Sequence, residues 1–428
     1  MDRLNWLTAR DDSTLAGAAT HLFTSTYQTQ PTGVWAAPGR VNLIGDHVDY
    51  ALGVSIPCAL AHSTAVAMSL RTDGLIRAVS ASGNSGTPPL QDTVNLADVR
   101  ESDEPGVAGH PSGWLGYVAG TLYELYSAQL VGNGQLGWDI AIVSDVPVGS
   151  GLSSSAALEC SVGYGALELS GKLDDASGAS DVFDQLVTCA IDAENEVVGA
   201  STGGLDQTAS VFGQQDHALM IDFDEETFSP VPLETRSAEL AFLVANTNSP
   251  HDLSDGQYAS RRGIIDAVTT VLHMHGTTYR EHTVDEIVTM IAADPLGSSL
   301  TSGGVVQQRI RHVVEETQRT LSAGEVLGAA DVDWYRFGQL MTDSHVSLRD
   351  LYEVSTPELN TAQQAALEAG ALGARLTGGG FGGSIVALVP THSVATVAEH
   401  VAAAAATSGF PAPTFLTVTP SAGARRIA

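Results

Sequence analysis

The chain has 428 residues, 43% of them hydrophobic and 16% charged, which is enough apolar material for a sizeable interior and argues against general disorder. Against 49 Asp and Glu stand only 19 Lys and Arg, Lys172 being the single lysine, so the formal net charge is -30. A surface of that sign repels nucleic-acid backbones and anionic lipid, which makes both poor partners, and any phosphate site has to rest on backbone amides, a helix N-terminus and a bound cation.

In chain order, residues 13–29 place Leu15, Ala18, Ala19, Leu22 and Phe23 at helical spacing, which predicts an amphipathic helix. Residues 34–37 and 55–70 read as strands around a turn region punctuated by Gly and Pro, and residues 81–112 read as surface loops. A helix is expected over 114–130 and a strand over 138–144, which runs through Pro147 and a Gly/Ser loop into a helix over 154–168. Residues 180–198 predict another helix, closed by the Gly-rich turn 199–204. Strands follow at 217–223 and 241–246, then helices at 257–293, 304–323, 333–349 and 359–370. The pattern ends with a strand at 385–389, an Ala-rich helix at 393–407 and a last strand at 414–419. Strict βαβ alternation is missing, so the expected class is α+β. At this length two domains are expected, 1–222 and 223–428, with the last strand free to return to the first.

Three segments carry chemistry. Residues 39–50 (GRVNLIGDHVDY) set Arg40, Asp46, His47 and Asp49 between glycines. Carboxylates accept from hydroxyls and imidazole donates or accepts, so the cluster suits a polyhydroxylated ligand, though an exposed polar loop would read the same way. Residues 147–156 (PVGSGLSSSA) follow a strand and open a helix, where glycines let the backbone approach phosphate and the helix terminus supplies partial positive charge. This is neither a Walker A loop nor a dinucleotide fingerprint, and a serine-rich helix cap is its plainer reading. Residues 376–384 (LTGGGFGGS) hold five glycines in six positions, a cost in chain entropy that signals either close backbone approach or a wide turn. Between them, Glu194 and Asp206 are two carboxylates separated by a Gly-rich turn, suited to a metal ligand and a base or simply to a solvated helix face.

Taken together, and in this order, the segments resemble the GHMP small-molecule kinases over nearly the whole chain, and residues 39–50 resemble the galactokinase signature along their full length. The resemblance implies a two-domain α+β fold with the active site between the domains, and transfer of the ATP γ-phosphoryl group to the anomeric hydroxyl of galactose. It assigns Arg40 and Asp206 to catalysis and Asp46, His47, Asp49, Gly203 and Tyr258 to the sugar, Asp46 standing where relatives usually carry Glu. It gives the nucleotide Gly149, Ser150, Gly151, Leu152, Ser153, Ser154, Ser155 and Ala156, with Trp114 beside the adenine, and gives Mg²⁺ to Ser155 and Glu194. Asp206 either takes the hydroxyl proton or, weakened as a base by Arg40, orients the hydroxyl while the proton leaves late; a loose transition state admits both. A sugar sensor that binds without turnover is the rival from another class. Three scattered cysteines and an N-terminus without an apolar core point to a cytoplasmic protein, expected to be a monomer.

Overall fold

The computed structural model describes residues 4–81, 88–104, 107–132, 136–173, 179–249, 257–295, 297 and 304–428. The first half runs β1 (Asn5–Trp6), α1 (Asp12–Tyr27), β2 (Gly33–Asn42), β3 (Val54–Ser55), β4 (Pro57–Arg71), β5 (Leu75–Ser80), β6 (Leu90–Asn95), α2 (Trp114–Ser127), β7 (Gly137–Ser144), α3 (Ser154–Leu169), α4 (Ala179–Asp192) and α5 (Leu205–Phe212). The second runs β8 (His217–Asp222), β9 (Thr227–Pro232), β10 (Leu240–Asn246), α6 (Gln257–Met274), α7 (Val284–Ala293), α8 (Val305–Leu327), α9 (Trp334–Ser347), α10 (Pro357–Glu368), β11 (Gly373–Thr377), β12 (Ser384–Pro390), α11 (Val394–Ser408), β13 (Thr414–Thr417) and β14 (Arg425–Arg426).

Three sheets organise these elements. A six-stranded sheet has the order β14-β2-β4-β7-β5-β6, a five-stranded one β1-β13-β10-β12-β11, and a small one β3-β8-β9. All ten residues of β2 are buried, a run that only a strand covered on both faces can sustain. Its side chains divide by the two-residue period of a strand. Val34 and Ala36 join Leu15, Ala19 and Phe23 of α1, while Trp35 and Ala37 join α2 and α3 through Leu122 and Val162. β10 divides likewise. Leu243 and Ala245 face the helices α6, α8, α10 and α11, whereas Phe242 and Val244 pack with Leu43, Ile44 and Ile56 from the first half. That last cluster joins the two halves beneath the 43–46 turn.

Several elements differ from the sequence reading. The strand expected at 34–37 extends to Asn42, so Arg40 sits on a strand and only the following residues turn. β6 lies inside the stretch expected to be loops; four of its six residues are exposed, so this edge strand pairs through its backbone while its composition stays polar. The helix expected over 180–198 ends as α4 and continues as a wider π-turn, Ala193–Val198, a form frequent at functional sites. The helices expected within 257–293 are α6 and α7. The strand at 414–417 pairs with β10 and β1 in the second sheet, and it is the later two-residue β14 that pairs with β2.

Candidate active site

A register shift between Pro38 and Arg40 breaks the β2–β4 ladder. Such a bulge re-aims side chains and releases a backbone group from the sheet. Here the freed Arg40 N–H donates to the Leu152 carbonyl at 3.1 Å, tying the strand to the Gly/Ser loop. The Arg40 side chain then reaches the Gly151 carbonyl through Nη1 at 2.6 Å, and Asp206 Oδ1 through Nε at 2.7 Å and Nη2 at 2.6 Å.

The loop that receives it has positive φ at every second residue, Gly149, Gly151 and Ser153. This alternation is the backbone habit of anion-binding nests, and it feeds straight into the N-terminus of α3. Ser153 occupies the cap position of α3, yet its hydroxyl caps nothing; it donates to Asp206 Oδ2 instead. Both oxygens of Asp206 are therefore engaged, one by arginine and one by serine. Asp206 lies in the first turn of α5, behind Gly204 at φ +98, where the helix dipole favours a negative charge.

Glu194 stands on the π-turn with its carboxylate on Gln207, whose Nε2 donates to Glu194 Oε2 at 2.7 Å and to Glu159 Oε2 at 3.1 Å. Burial, followed by the charge of Asp206, pushes Glu194 up to about 7, while hydrogen bonds from Ser155 and Gln207 pull the other way. Glu159 is fully buried, and burial followed by the Glu194 charge holds it well above the usual carboxyl range. Ser155 and Glu194 thus form a pair of oxygen donors on the cleft wall. Among the described residues no cluster of three or more His, Cys, Asp or Glu forms a metal cage.

The opposite wall is the signature turn. Asp46 accepts from Arg375 Nη2 at 2.6 Å; burial raises its carboxyl, and Arg375 and Arg40 oppose the rise. His47 is left-handed at φ 62, with Nε2 at 3.1 Å from the Gly379 carbonyl and Nδ1 at 2.7 Å from the Tyr50 hydroxyl. A carbonyl only accepts, so the proton sits on Nε2, and burial lowers the ring to about 3, keeping it neutral. Asp49 is raised to about 6, by burial first and by Asp206 second. Gly203 packs its bare Cα on the Asp49 carboxylate, and an added Cβ would also meet the Tyr50 nitrogen at 2.9 Å.

Arg40, Asp46, His47, Asp49, Gly149, Gly151 to Ser155, Glu194 and Asp206 all line one cleft of about 580 Å³. Arg40 is the sole cation among its described lining residues. Ser150, Ala156 and Gly203 support it from behind; Ser150 is buried with its hydroxyl on the Pro147 carbonyl. Trp114 opens α2 and packs on the first-half core, while Tyr117, one turn on, lines the cleft. Tyr258 falls in the first turn of α6, and its side chain lies outside the described residues.

Sequence reasoning left open what the third glycine segment does. Its glycines lie against the Gly/Ser loop backbone to backbone: a Cβ on Gly378 would come within 2.8 Å of the Gly151 carbonyl, and one on Gly383 within 3.0 Å of the Ser150 carbonyl. The Ser384 hydroxyl donates to that Ser150 carbonyl at 2.7 Å. Close approach explains the glycines. Sequence reasoning missed Arg375, Gln207, Glu159 and Tyr117. Only Arg375 left a signal, a lone arginine in the apolar run Gly373–Thr377 beside the glycines, which implies a buried acidic partner.

Three family models match the chain: the galactokinase galactose-binding signature at residues 21–70, the GHMP kinase N-terminal domain at 117–214 and the GHMP kinase C-terminal domain at 328–407. A galactokinase of Streptomyces coelicolor is 36% identical over 96% of this chain and 99% of its own. One from Canis lupus familiaris is also 36% identical, over 90% and 91%. The structure of Lactococcus lactis galactokinase complexed with galactose superposes with a TM-score of 0.80 at 28% identity, covering 96% of this chain and 99% of that one.

Proposed function

This chain belongs to the galactokinases of the GHMP kinase superfamily, and on that footing we propose how its cleft moves the γ-phosphoryl group of ATP to the anomeric hydroxyl of galactose, giving galactose 1-phosphate and ADP. The observation that carries the assignment is the hydrogen-bonded chain Arg40–Asp206–Ser153, which ties the sugar-side strand to the phosphate-side loop at one carboxylate.

Asp206 faces the hydroxyl and accepts its proton on Oδ2, the oxygen not held by arginine. Arg40 fixes the carboxylate through Oδ1 and, as the sole cation of the described lining, offsets the charge of the transferring group. Amides of residues 149–156 cradle the phosphates, with the N-terminus of α3 behind them. Asp46, His47 and Asp49 accept and donate to the sugar hydroxyls. The missing Cβ of Gly203 lets the Asp49 carboxylate sit against its backbone, and the family resemblance assigns Gly203 and Tyr258 to the sugar and Trp114 to the adenine. His47 stays neutral, with its ring held by the Gly379 carbonyl and the Tyr50 hydroxyl, and brings no charge of its own to the sugar side.

Ser155 and Glu194 fit Mg²⁺, which accepts few protein ligands because it keeps waters and phosphate oxygens around it, so two oxygen donors suffice. When bound, that ion neutralises charge on the phosphates. Gln207 holds Glu194 in place and also donates to Glu159 behind it, whose carboxyl burial and the Glu194 charge hold well above the usual range. We place the domain division near residue 222, on the grouping of strands into the six- and five-stranded sheets. We place the protein in the cytoplasm, supported by three free and buried cysteines, and take it as a monomer; no helix of the described residues is long and apolar enough to cross a membrane.

The test is release of ADP on mixing the protein with galactose and Mg-ATP, with sugar phosphate measured in parallel. Equal amounts of the two products are expected. ADP without sugar phosphate, or neither product, sinks the assignment, and N-acetylgalactosamine and glucose as competitors define the acceptor.

A further inference from the structure

His312 and Glu316 stand one turn apart on α8, in a stretch that none of the three family models spans. Both are fully buried, and both reach the signature turn from the second half of the chain. His312 donates from Nε2 to the Asp46 carbonyl at 3.1 Å and accepts at Nδ1 from the Ser347 hydroxyl at 2.8 Å. Ser347 thereby fixes the tautomer that the Asp46 carbonyl needs. Glu316 Oε1 accepts from the Gly45 N–H at 3.1 Å and from the Ser344 hydroxyl, while Arg319 holds the other oxygen.

One helix face thus holds the N–H of residue 45 and the carbonyl of residue 46. A second route runs through rings. Tyr352 lies 4.6 Å from the His312 ring and 4.8 Å from the His47 ring, centroid to centroid, and its hydroxyl meets the Tyr50 hydroxyl that hydrogen-bonds His47. The turn needs this holding. Gly45 and His47 both have positive φ, and a non-glycine residue stays left-handed only where its surroundings over-determine it. Burial lowers His312 to about 4, leaving it a neutral donor, and although burial alone would raise Glu316, the charges of Arg319 and Arg375 hold it below its ordinary value.

We propose that His312 and Glu316 are positioning residues that set affinity and selectivity for the sugar by locking the 45–47 turn, and that they leave the nucleotide side untouched. The inference rests on the reading that this turn binds the sugar. Galactose binding is measured by calorimetry, and KM for ATP and kcat are measured at saturating galactose. His312→Phe should weaken galactose at least about tenfold and narrow its preference over glucose, with KM for ATP within about twofold and kcat within about threefold. His312→Gln, which restores an N–H donor, should recover part of the loss. Ser347→Ala, which removes only the tautomer partner, should weaken galactose by about two- to fivefold in a folded protein. Equal losses for galactose and ATP, or unchanged galactose affinity in Ser347→Ala and His312→Gln alike, overturn the proposal even if His312→Phe does not fold. Asp49→Ala separates the two levels: if it leaves galactose affinity intact, the sugar reading of the turn fails instead.

Discussion

The cleft is flanked by two arginine–aspartate pairs of nearly equal length and different surroundings. Arg40 and Asp206 meet at 2.6 Å with side chains 6% and 23% exposed, whereas Arg375 and Asp46 meet at 2.6 Å with 0% and 5% exposed. The contact is the same, and the solvent decides what it can do. Asp206 keeps an edge toward the cleft and can meet a substrate proton. Asp46 is paired by a fully buried arginine that also donates to the Asn42 carbonyl at 3.3 Å, binding β11 to the end of β2. Both carboxylates line the cleft, and the proposed proton transfer falls to the more exposed one. The buried pair holds the two halves of the chain around it, and its Arg375 Nε has no hydrogen-bond partner among the described residues, a cost that chemistry alone would not explain.

Breaking the buried pair should have the largest effect on the protein itself. Arg375→Ala strands Asp46 without a counter-charge in the interior, and removing one partner of a buried pair costs ~3–5 kcal/mol. Denaturant midpoints should fall accordingly, and a change below ~1 kcal/mol would mean that Asp46 is already neutral in the native protein. Breaking the exposed pair should do the reverse. Asp206→Asn keeps the shape and one acceptor for Arg40, the Ser153 hydroxyl turning to accept from the new amide, but cannot take a proton, so kcat should fall about 10³-fold, ~4 kcal/mol of barrier, with galactose affinity little changed. A loss within about tenfold would assign Asp206 to orientation, with the proton leaving late.

Arg40→Lys sharpens the contrast from the cation's side. Lysine keeps the charge and loses the fork that spans Asp206 and the Gly151 carbonyl, so a kcat loss of about 30-fold, ~2 kcal/mol, is expected. An unchanged rate would show that charge alone suffices.

This asymmetry between the pairs tracks what could be read from the sequence. Arg40, Asp46, His47 and Asp49 stood together because one short segment carries them all, and the Gly/Ser loop was legible from its place between a strand and a helix. Asp206 was legible only as a carboxylate past a glycine turn; α5, which orients it, is eight residues long and gave no periodic signal of its own. The residues behind the site were silent. His312, Glu316 and Glu159 each look like an ordinary polar position on a long helix, and their burial is decided by strands and loops far away in sequence. The bulge at Pro38–Arg40 was hidden for a related reason, since one shifted residue does not disturb an apolar run.

The smallest expected effect concerns a third carboxylate, Asp49, which has no arginine at hydrogen-bonding distance among its described contacts and is raised to about 6 by burial and by the Asp206 charge. An acid raised in this way favours the folded state in its protonated form. That contribution is complete below its ordinary value of 3.8 and is lost as pH rises through about 6. Galactose affinity should run the other way, because an ionised carboxylate accepts from sugar hydroxyls more strongly than the acid does. Between pH 7.5 and 5 the dissociation constant should therefore rise by up to about tenfold, ~1.4 kcal/mol, with Asp49→Asn flattening the profile while leaving the response of kcat to Asp206→Asn intact. A profile that stays steep in Asp49→Asn would move the titration to Asp46, and the buried pair would then have to be treated as an acid beside an arginine in place of an ion pair.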